Sequence, residues 1–496
     1  MSLHTDTQAP RPKALLVGLQ LPQMTEADNI ASLQELKRLV DTLGFEVVGQ
    51  LTQKRGNARA ALVVGEGKLR ELAAWTGGPG FIAPSVIKKK TKAQEKFDLV
   101  DAEDDLDVEH FQDTRDFDES DDLDSEHDAA EAHAGFEDDS VESDSPTAGP
   151  PDGVQATVVV FDSELSPSQL RNLQSATGAE VLDRTGVIIE IFSRHARTRA
   201  AKLQVEIARL KYLAPRIRET GGASERQGGG VGGKGSGESS QELDRRHIRD
   251  RIKELRTELQ TVQQESSIRR NRRSEENSVA LVGYTNAGKS SLMRAMTGSE
   301  ILVADKLFAT LDTTVRPMHP PSLPRVLLSD TVGFIKKLPH DLVASFHSTL
   351  EEALHADLLL YVVDASDPTF RQQLEVTKQV LGEIGATEHP SLMILNKRDR
   401  LSSAESAALK AEYPEAIQLS TRDKDDLAAL RETLLQFFEK DMTEADLMVP
   451  YAVQGAIGEI RRQMRVIGES YTEGGVTLKV RARQEDLARV RGRFKI

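Results

Sequence analysis

Apolar positions along this 496-residue chain change their period from region to region, and each change predicts an element. Ala14 to Leu19 is a continuous apolar run, the pattern of a buried strand. Ile30, Leu33, Leu36 and Val40 follow at helical spacing, and Phe45 to Leu51 reads as a second strand. Ala61 to Trp75 predicts a further strand and helix. Much later, Val158, Val159, Val160 and Phe161 form a short apolar run, Ser166 to Ala176 a helical pattern, and Val187 to Phe192 another strand. Strands alternating with helices favour a mainly parallel sheet, hence an α/β fold. Gly65, Gly67 and Lys68 in VGEGKLREL are read as a turn at a helix start, because the motif is too short for a phosphate site.

From Arg194 to Arg273 the chain changes character, with 20 basic against 10 acidic residues. Leu203, Ile207 and Leu210 make one helical stripe, and Ile248, Ile252, Leu255, Leu259 and Val262 a second at heptad-like spacing, so the two helices are expected to pair as an antiparallel hairpin. Between them Gly221 to Gly237 holds nine glycines in 17 residues, with Arg226 and Lys234. Such a loop cannot pack on itself. It is a flexible linker or a tip whose backbone and basic groups approach RNA phosphates; Arg245, Arg246, Arg249 and Arg251 beside it favour the tip. Near the end, Ile457, Ile460 and Met464 read as a helix and Val476, Leu478 and Val480 as an alternating strand. The stretches RRQMR and RARQEDLARVRGR there are a solvated surface or a contact for RNA or protein.

Composition changes this picture in two places. There is no cysteine, which excludes a disulfide framework and thiolate metal sites. No apolar run approaches the roughly 18 residues of a membrane span, and MSLHTDTQAPRPK lacks the apolar segment of a secretory signal, so a cytoplasmic protein without a membrane span is expected. The net charge of −15 is misleading: Asp98 to Ser145 carries 22 acidic residues against Arg115 alone, or −21, and the remainder, 63 basic against 57 acidic, stands at +6. That segment has too few apolar anchors to offset its ordering entropy and is read as a disordered insertion. Its role is a solvated linker or a polyanion-like tail over a basic face.

The chemistry concentrates in three motifs in fixed order. GYTNAGKS at Gly283 to Ser290 follows the apolar strand Val279 to Val282 and precedes a helix opening with Ser291, Leu292, Met293 and Ala295. In that setting Gly283, Tyr284, Thr285, Asn286, Ala287 and Gly288 form a phosphate loop, its backbone N–H groups and the helix start favouring negative charge. Lys289 is expected on the β- and γ-phosphates, and Ser290 on Mg²⁺. DTVG ends the strand Val326 to Leu328: Asp330 is expected to hold Mg²⁺ through water, Thr331 and Val332 to line the site, and the Gly333 N–H to meet the γ-phosphate. NKRD follows the strand Leu392 to Leu395. There Asn396, Lys397 and Arg398 precede Asp399, which can accept the N1–H and 2-amino donors of guanine that adenine lacks. GTP and GDP are therefore the expected nucleotides. Phe334 stands directly after DTVG, where many GTPases place a glutamine that orients water; a phenyl ring cannot do so, and slow intrinsic hydrolysis assisted by a partner is expected.

With these residues in view the chain resembles the HflX family of ribosome-associated GTPases. The resemblance is carried by LTQKR at Leu51 to Arg55, FDSELSPSQLRNL at Phe161 to Leu173, DRTGVIIEIFSRHARTRAAKLQVEIARLKYLAPR at Asp183 to Arg216, RQGGGVGGKGSGE at Arg226 to Glu238, LDRRHIRDRI at Leu243 to Ile252, GYTNAGKSSL at Gly283 to Leu292 and KLFATLD at Lys306 to Asp312. It implies a GTPase that binds the large ribosomal subunit, directs its hairpin towards the RNA-rich centre, and acts in ribosome splitting, rescue or biogenesis. It also places the first switch at Phe308, Ala309, Thr310, Leu311 and Asp312, with Thr310 as a second Mg²⁺ ligand, and a guanine-supporting loop at Ser420, Thr421 and Arg422. Thr421, DTTV at Asp312 to Val315 and GGKGSGESSQ in the glycine loop depart from the family pattern. Four parts are expected of the chain, taken as a monomer: an α/β domain at 1–193 interrupted by the insertion at about 78–153, the hairpin at 194–273 with its tip at 221–237, a Ras-like P-loop GTPase domain at 274–441, and a small α/β domain at 442–496. The alternative is a signalling or scaffolding GTPase that recruits a basic partner through the insertion.

Overall fold

The computed structural model describes residues 11–56, 63–82, 153–217, 240–271, 276–298, 307–308, 313–337, 352–386, 388–440, 442–453 and 455–494. The acidic segment Asp98 to Ser145, the glycine loop 221–237 and the switch residues Ala309 to Asp312 lie outside them. At the other end of the expected insertion, residues 78–82 are described, and the Gly80 N–H donates to the Ala176 carbonyl at 2.9 Å.

The first part is built from β1 (Lys13–Gln20), α1 (Glu26–Thr42), β2 (Glu46–Lys54), α2 (Glu66–Thr76), β3 (Val158–Phe161), α3 (Pro167–Thr177), β4 (Glu180–Asp183) and α4 (Arg184–His195). Its four strands form a parallel sheet in the order β2-β1-β3-β4. Both faces are covered, which is why β1 and β3 read as unbroken apolar runs rather than alternating ones. Leu15, Val17 and Phe161 pack with Trp75 on one side, and Ala14, Leu16 and Val160 with Leu33, Leu36 and Val187 on the other. The glycine-rich VGEGKLREL is the turn it was expected to be: Gly65 caps α2 and its N–H donates to Gln53 Oε1 at 3.0 Å.

Two elements differ from the sequence reading: the described residues 63–64 ahead of α2 form no strand, and the second difference lies in α4. Val187 to Phe192 is the body of helix α4, and the strand beside it is the preceding β4. The run is apolar and β-branched, but Asp183 caps it by accepting from the Gly186 N–H at 2.7 Å, and Val187, Ile188, Ile191 and Phe192 then bury one helical face. A short run buried this deeply hides its own period.

Helices α5 (Arg199–Leu213) and α6 (Ser240–Asn271) follow. Leu203, Ile207 and Leu255 are buried between them, with Leu210, Ile252, Leu259 and Val262 packed around. Ion pairs Arg199–Glu258 at 2.8 Å and Glu206–Arg251 at 3.2 Å set the antiparallel register.

The nucleotide-binding part contains β5 (Asn277–Val282), α7 (Lys289–Thr297), β6 (Thr314–Pro317), β7 (Val326–Asp330), β8 (Leu358–Asp364), α8 (Phe370–Glu383), β9 (Ser391–Asn396), α9 (Ser403–Glu412), β10 (Ile417–Gln418) and α10 (Lys424–Glu439). The sheet order is β10-β9-β8-β5-β7-β6, parallel except for β6. Because β5 lies between β7 and β8, the loop leaving it sits at a topological switch point, the crevice where ligands bind in open α/β sheets. The last part, β11 (Thr443–Pro450), α11 (Ala456–Gln463), β12 (Arg465–Thr472), β13 (Gly475–Ala482) and α12 (Gln484–Phe494), is an antiparallel sheet in the order β11-β13-β12 with its own core of Leu447, Ile460, Leu478 and Val490.

Candidate nucleotide site

The loop from β5 to α7 is shaped by two glycines that admit no side chain. Gly283 has φ +148° and a Cβ there would lie 2.2 Å from the Val362 carbonyl oxygen; Gly288 has φ +97° and a Cβ would lie 2.2 Å from Asn396 Nδ2. Tyr284, Thr285 and Ala287 are buried, whereas Asn286 is exposed at φ +60°. Lys289 opens α7 and is buried, its Nζ donating to the carbonyls of Gly283 and Tyr284, each at 2.8 Å. Burial lowers its pKa to about 8, with Asp330 acting in the opposite sense.

DTVG closes over this loop. Ser290 Oγ donates to Asp330 Oδ2 at 2.7 Å. Thr331 Oγ1 donates to the Leu281 carbonyl at 2.7 Å, a bond that ties the segment to β5, while Val332 joins the core. A Cβ on Gly333 would lie 2.8 Å from Thr285 Cγ2 and 3.1 Å from Lys289 Nζ, so this position too is reserved for glycine. Phe334 is 1% exposed; its N–H donates to the Gly283 carbonyl at 3.2 Å and its carbonyl accepts from the Thr285 N–H at 2.8 Å.

NKRD reaches the same place from β9. Asn396 Nδ2 donates to the Ala287 carbonyl at 2.8 Å. Lys397, at φ +62°, donates to the Asn286 carbonyl at 2.9 Å and to Asp364 Oδ2 at 2.6 Å. Asp399 accepts from Ser420 Oγ at 2.7 Å, the main reason its carboxyl is held below the ordinary range, with Arg422 adding an ion pair at 3.7 Å. Ser420 is fixed in turn by its N–H on Asp426 Oδ2 at 2.7 Å, and Arg398 pairs with Asp426 at 3.0 Å. Thr421 is half-buried between Ser420 and Arg422. The structure therefore brings all three motifs and the Ser420 loop together. Of the first switch, Phe308 is described, buried at φ +57° with its ring edge-on to Phe192 at 4.6 Å.

Three family descriptions match the chain: "GTP-binding GTPase N-terminal" at residues 30–80 and 151–193, "GTP-binding GTPase Middle Region" at 195–273 and "50S ribosome-binding GTPase" at 278–397. A relative called GTPase HflX, from Gluconacetobacter diazotrophicus, is 53% identical over 98% of this chain and 98% of its own length. The chain belongs to the HflX family. A second GTPase HflX, from Caldanaerobacter subterraneus subsp. tengcongensis, is 34% identical over 97% of this chain and 93% of its own length. The solved complex of SsGBP with GDP matches 86% of this chain and 98% of that one, at 22% identity and a TM-score of 0.43. This HflX-family chain is accordingly a GTP hydrolase, and no helix among its described residues is long and apolar enough to cross a membrane.

The motifs did not reveal how the phosphate loop and the residues after DTVG in this HflX-family chain are held by its first domain. Arg184, 2% exposed, donates to Asp162 Oδ1 at 2.7 Å and also to Glu35. Burial alone would lower its pKa, but Glu35 and Asp162 raise it above the ordinary value. Glu35 also accepts from the Tyr284 hydroxyl, which in turn accepts from the Lys336 N–H at 2.7 Å. Lys337 Nζ donates to Asp162 Oδ2 at 2.8 Å. A chain of polar contacts thus runs from α1 and α4 through the phosphate loop to the residues just past Gly333. The one sequence signal was that FDSELS, DRTG and KLFATLD all lie in segments that carry the family resemblance.

Proposed function

We propose that this GTPase binds the large ribosomal subunit in the cytoplasm as a monomer, and that its hydrolysis is stimulated there. The observation that carries the reading is the basic antiparallel hairpin α5–α6, joined through α6 to the strand that feeds the phosphate loop. The matching description "50S ribosome-binding GTPase" over 278–397 supports it. In this reading Lys289 and the loop hold the phosphates, the Gly333 N–H meets the γ-phosphate, and Asn396 with Asp399 selects guanine. The Ser290 hydroxyl and Asp330 carboxylate, 2.7 Å apart, are the hard oxygen donors that Mg²⁺ takes beside substrate phosphates, and Thr310 would add a third. Bound Mg²⁺ would neutralise charge on the phosphates. Phe334 is packed into the core and offers no group to orient water, which leaves that task to another residue or to the ribosome.

The test measures GTP hydrolysis by the protein alone and with purified large subunits at two salt concentrations, with protein lacking Asp98 to Ser145 in parallel. Strong, salt-sensitive stimulation is expected. Unchanged hydrolysis with intact nucleotide binding would instead favour the signalling GTPase that recruits a basic partner. Splitting, rescue and assembly then separate in assays on whole ribosomes.

A further inference from the structure

The side chain of Thr285 is more than nine-tenths buried, yet its hydroxyl oxygen has no hydrogen-bond partner among the described residues. Shape does not account for it. The Thr285 backbone N–H is already used, on the Phe334 carbonyl, and the Cγ2 methyl is the part that packs towards Gly333. Valine would fill the same volume without stranding a polar group, and an unmatched buried hydroxyl costs stability. Asn396 Oδ1 is also buried without a partner, and there the guanine site gives it a use; Thr285 has no such assignment. Its surroundings give one. It lies in the phosphate loop, beside Gly333, whose N–H the proposed function assigns to the γ-phosphate, and near Lys289 Nζ.

We infer that the Thr285 hydroxyl donates a hydrogen bond to the γ-phosphoryl group of GTP during its transfer to water, which makes Thr285 a catalytic residue. The inference rests on the placement of the γ-phosphate against Gly333. A donor fixed in a buried loop needs no reorganisation as charge shifts on the phosphoryl oxygens, and so acts more strongly in transfer than in binding. It supplies part of the stabilisation that an apolar Phe334 withholds. GDP, which lacks the γ-phosphate, does not use the contact.

The experiment compares Thr285→Val and Thr285→Ser in the full chain, by single-turnover GTP hydrolysis and by affinity for fluorescent GDP. Thr285→Val is expected to slow hydrolysis at least about tenfold, the effect of losing one hydrogen bond to a charged group, with GDP affinity within about twofold of the parent. Thr285→Ser is expected to stay within about threefold of the parent rate. Hydrolysis by Thr285→Val at the parent rate would overturn the inference. So would equal loss of rate in both variants, which would assign the role to the methyl group, or a parallel loss of GDP affinity, which would assign it to loop shape. If the γ-phosphate lay elsewhere, the Gly333 amide resonance would not move between the GDP complex and that of a non-hydrolysable GTP analogue, separating that failure from the failure of Thr285.

Discussion

The nucleotide-binding part meets a neighbour on each side, and the two seams are built on opposite principles. Towards the first domain, charge is buried and paired: Arg184 and Asp162 are 2% and 3% exposed, Glu35 accepts from Arg184 and from Tyr284, and Lys337 donates to Asp162. Towards the last domain, a cavity of about 270 Å³ is lined by Arg325, Arg462, Arg483 and Arg489 against Glu276 and Asp486, and cation outnumbers anion. Burying an ion pair costs desolvation that its attraction barely repays, so such a network contributes little net stability but strongly disfavours any arrangement that leaves one member alone. The buried seam fixes geometry where the switches are. The other seam keeps its ion pairs near the surface, Arg325–Glu276 at 3.0 Å and Arg489–Asp486 at 2.9 Å, where a change of geometry costs little.

Arg184→Ala should show the largest difference, since it removes the buried guanidinium that pairs with Asp162 and Glu35; a loss of about 3–5 kcal/mol is expected from urea unfolding. Less than about 1 kcal/mol would mean that the network is wet and the contrast false. Lys289 offers a buried cation with no carboxylate in contact among the described residues. Its pKa near 8 in the nucleotide-free protein must rise when phosphate binds, so binding takes up a proton above that value. GDP affinity measured by titration should be level below about pH 8 and weaken as pH rises, approaching tenfold per unit. Affinity that is flat to pH 10 would remove the phosphate contact from Lys289. Tyr284→Phe removes one hydroxyl that serves both Glu35 and the Lys336 N–H, and should cost about 1–2 kcal/mol in the same unfolding assay. On the other seam, Arg462→Ala should change stability by no more than about 0.5 kcal/mol. A cost equal to that of Tyr284→Phe would erase the distinction between the seams.

The same contrast marks what the sequence could reveal. GYTNAGKS, DTVG and NKRD are local, and each sits at a strand end, so their convergence follows once β5, β7 and β9 are recognised. The hairpin was legible because its apolar stripes are on the surface of long polar helices. Val187 to Phe192 was not, because burial on a crowded face erased the period that separates strand from helix. The bond between Glu35 and Tyr284 spans 249 positions and that between Lys337 and Asp162 spans 175. Nothing near Arg184 in the chain signals burial, and an arginine is ordinarily read as surface. Asp364, which holds Lys397, was missed for the same reason. Phe308 was placed by resemblance alone, and its ring is seated edge-on against Phe192 of the first domain.

Helix α6 is 32 residues long, about 48 Å at 1.5 Å per residue. Its Asn271 end stands a few residues before β5 in the chain, and its Ser240 end lies the whole length of the helix away. By simple leverage a tilt of about 5° at the near end sweeps the far end through about 4 Å, roughly the width of one nucleobase stack. A rotation too small to disturb the packing at one end of α6 is thus a displacement of several ångströms at the other.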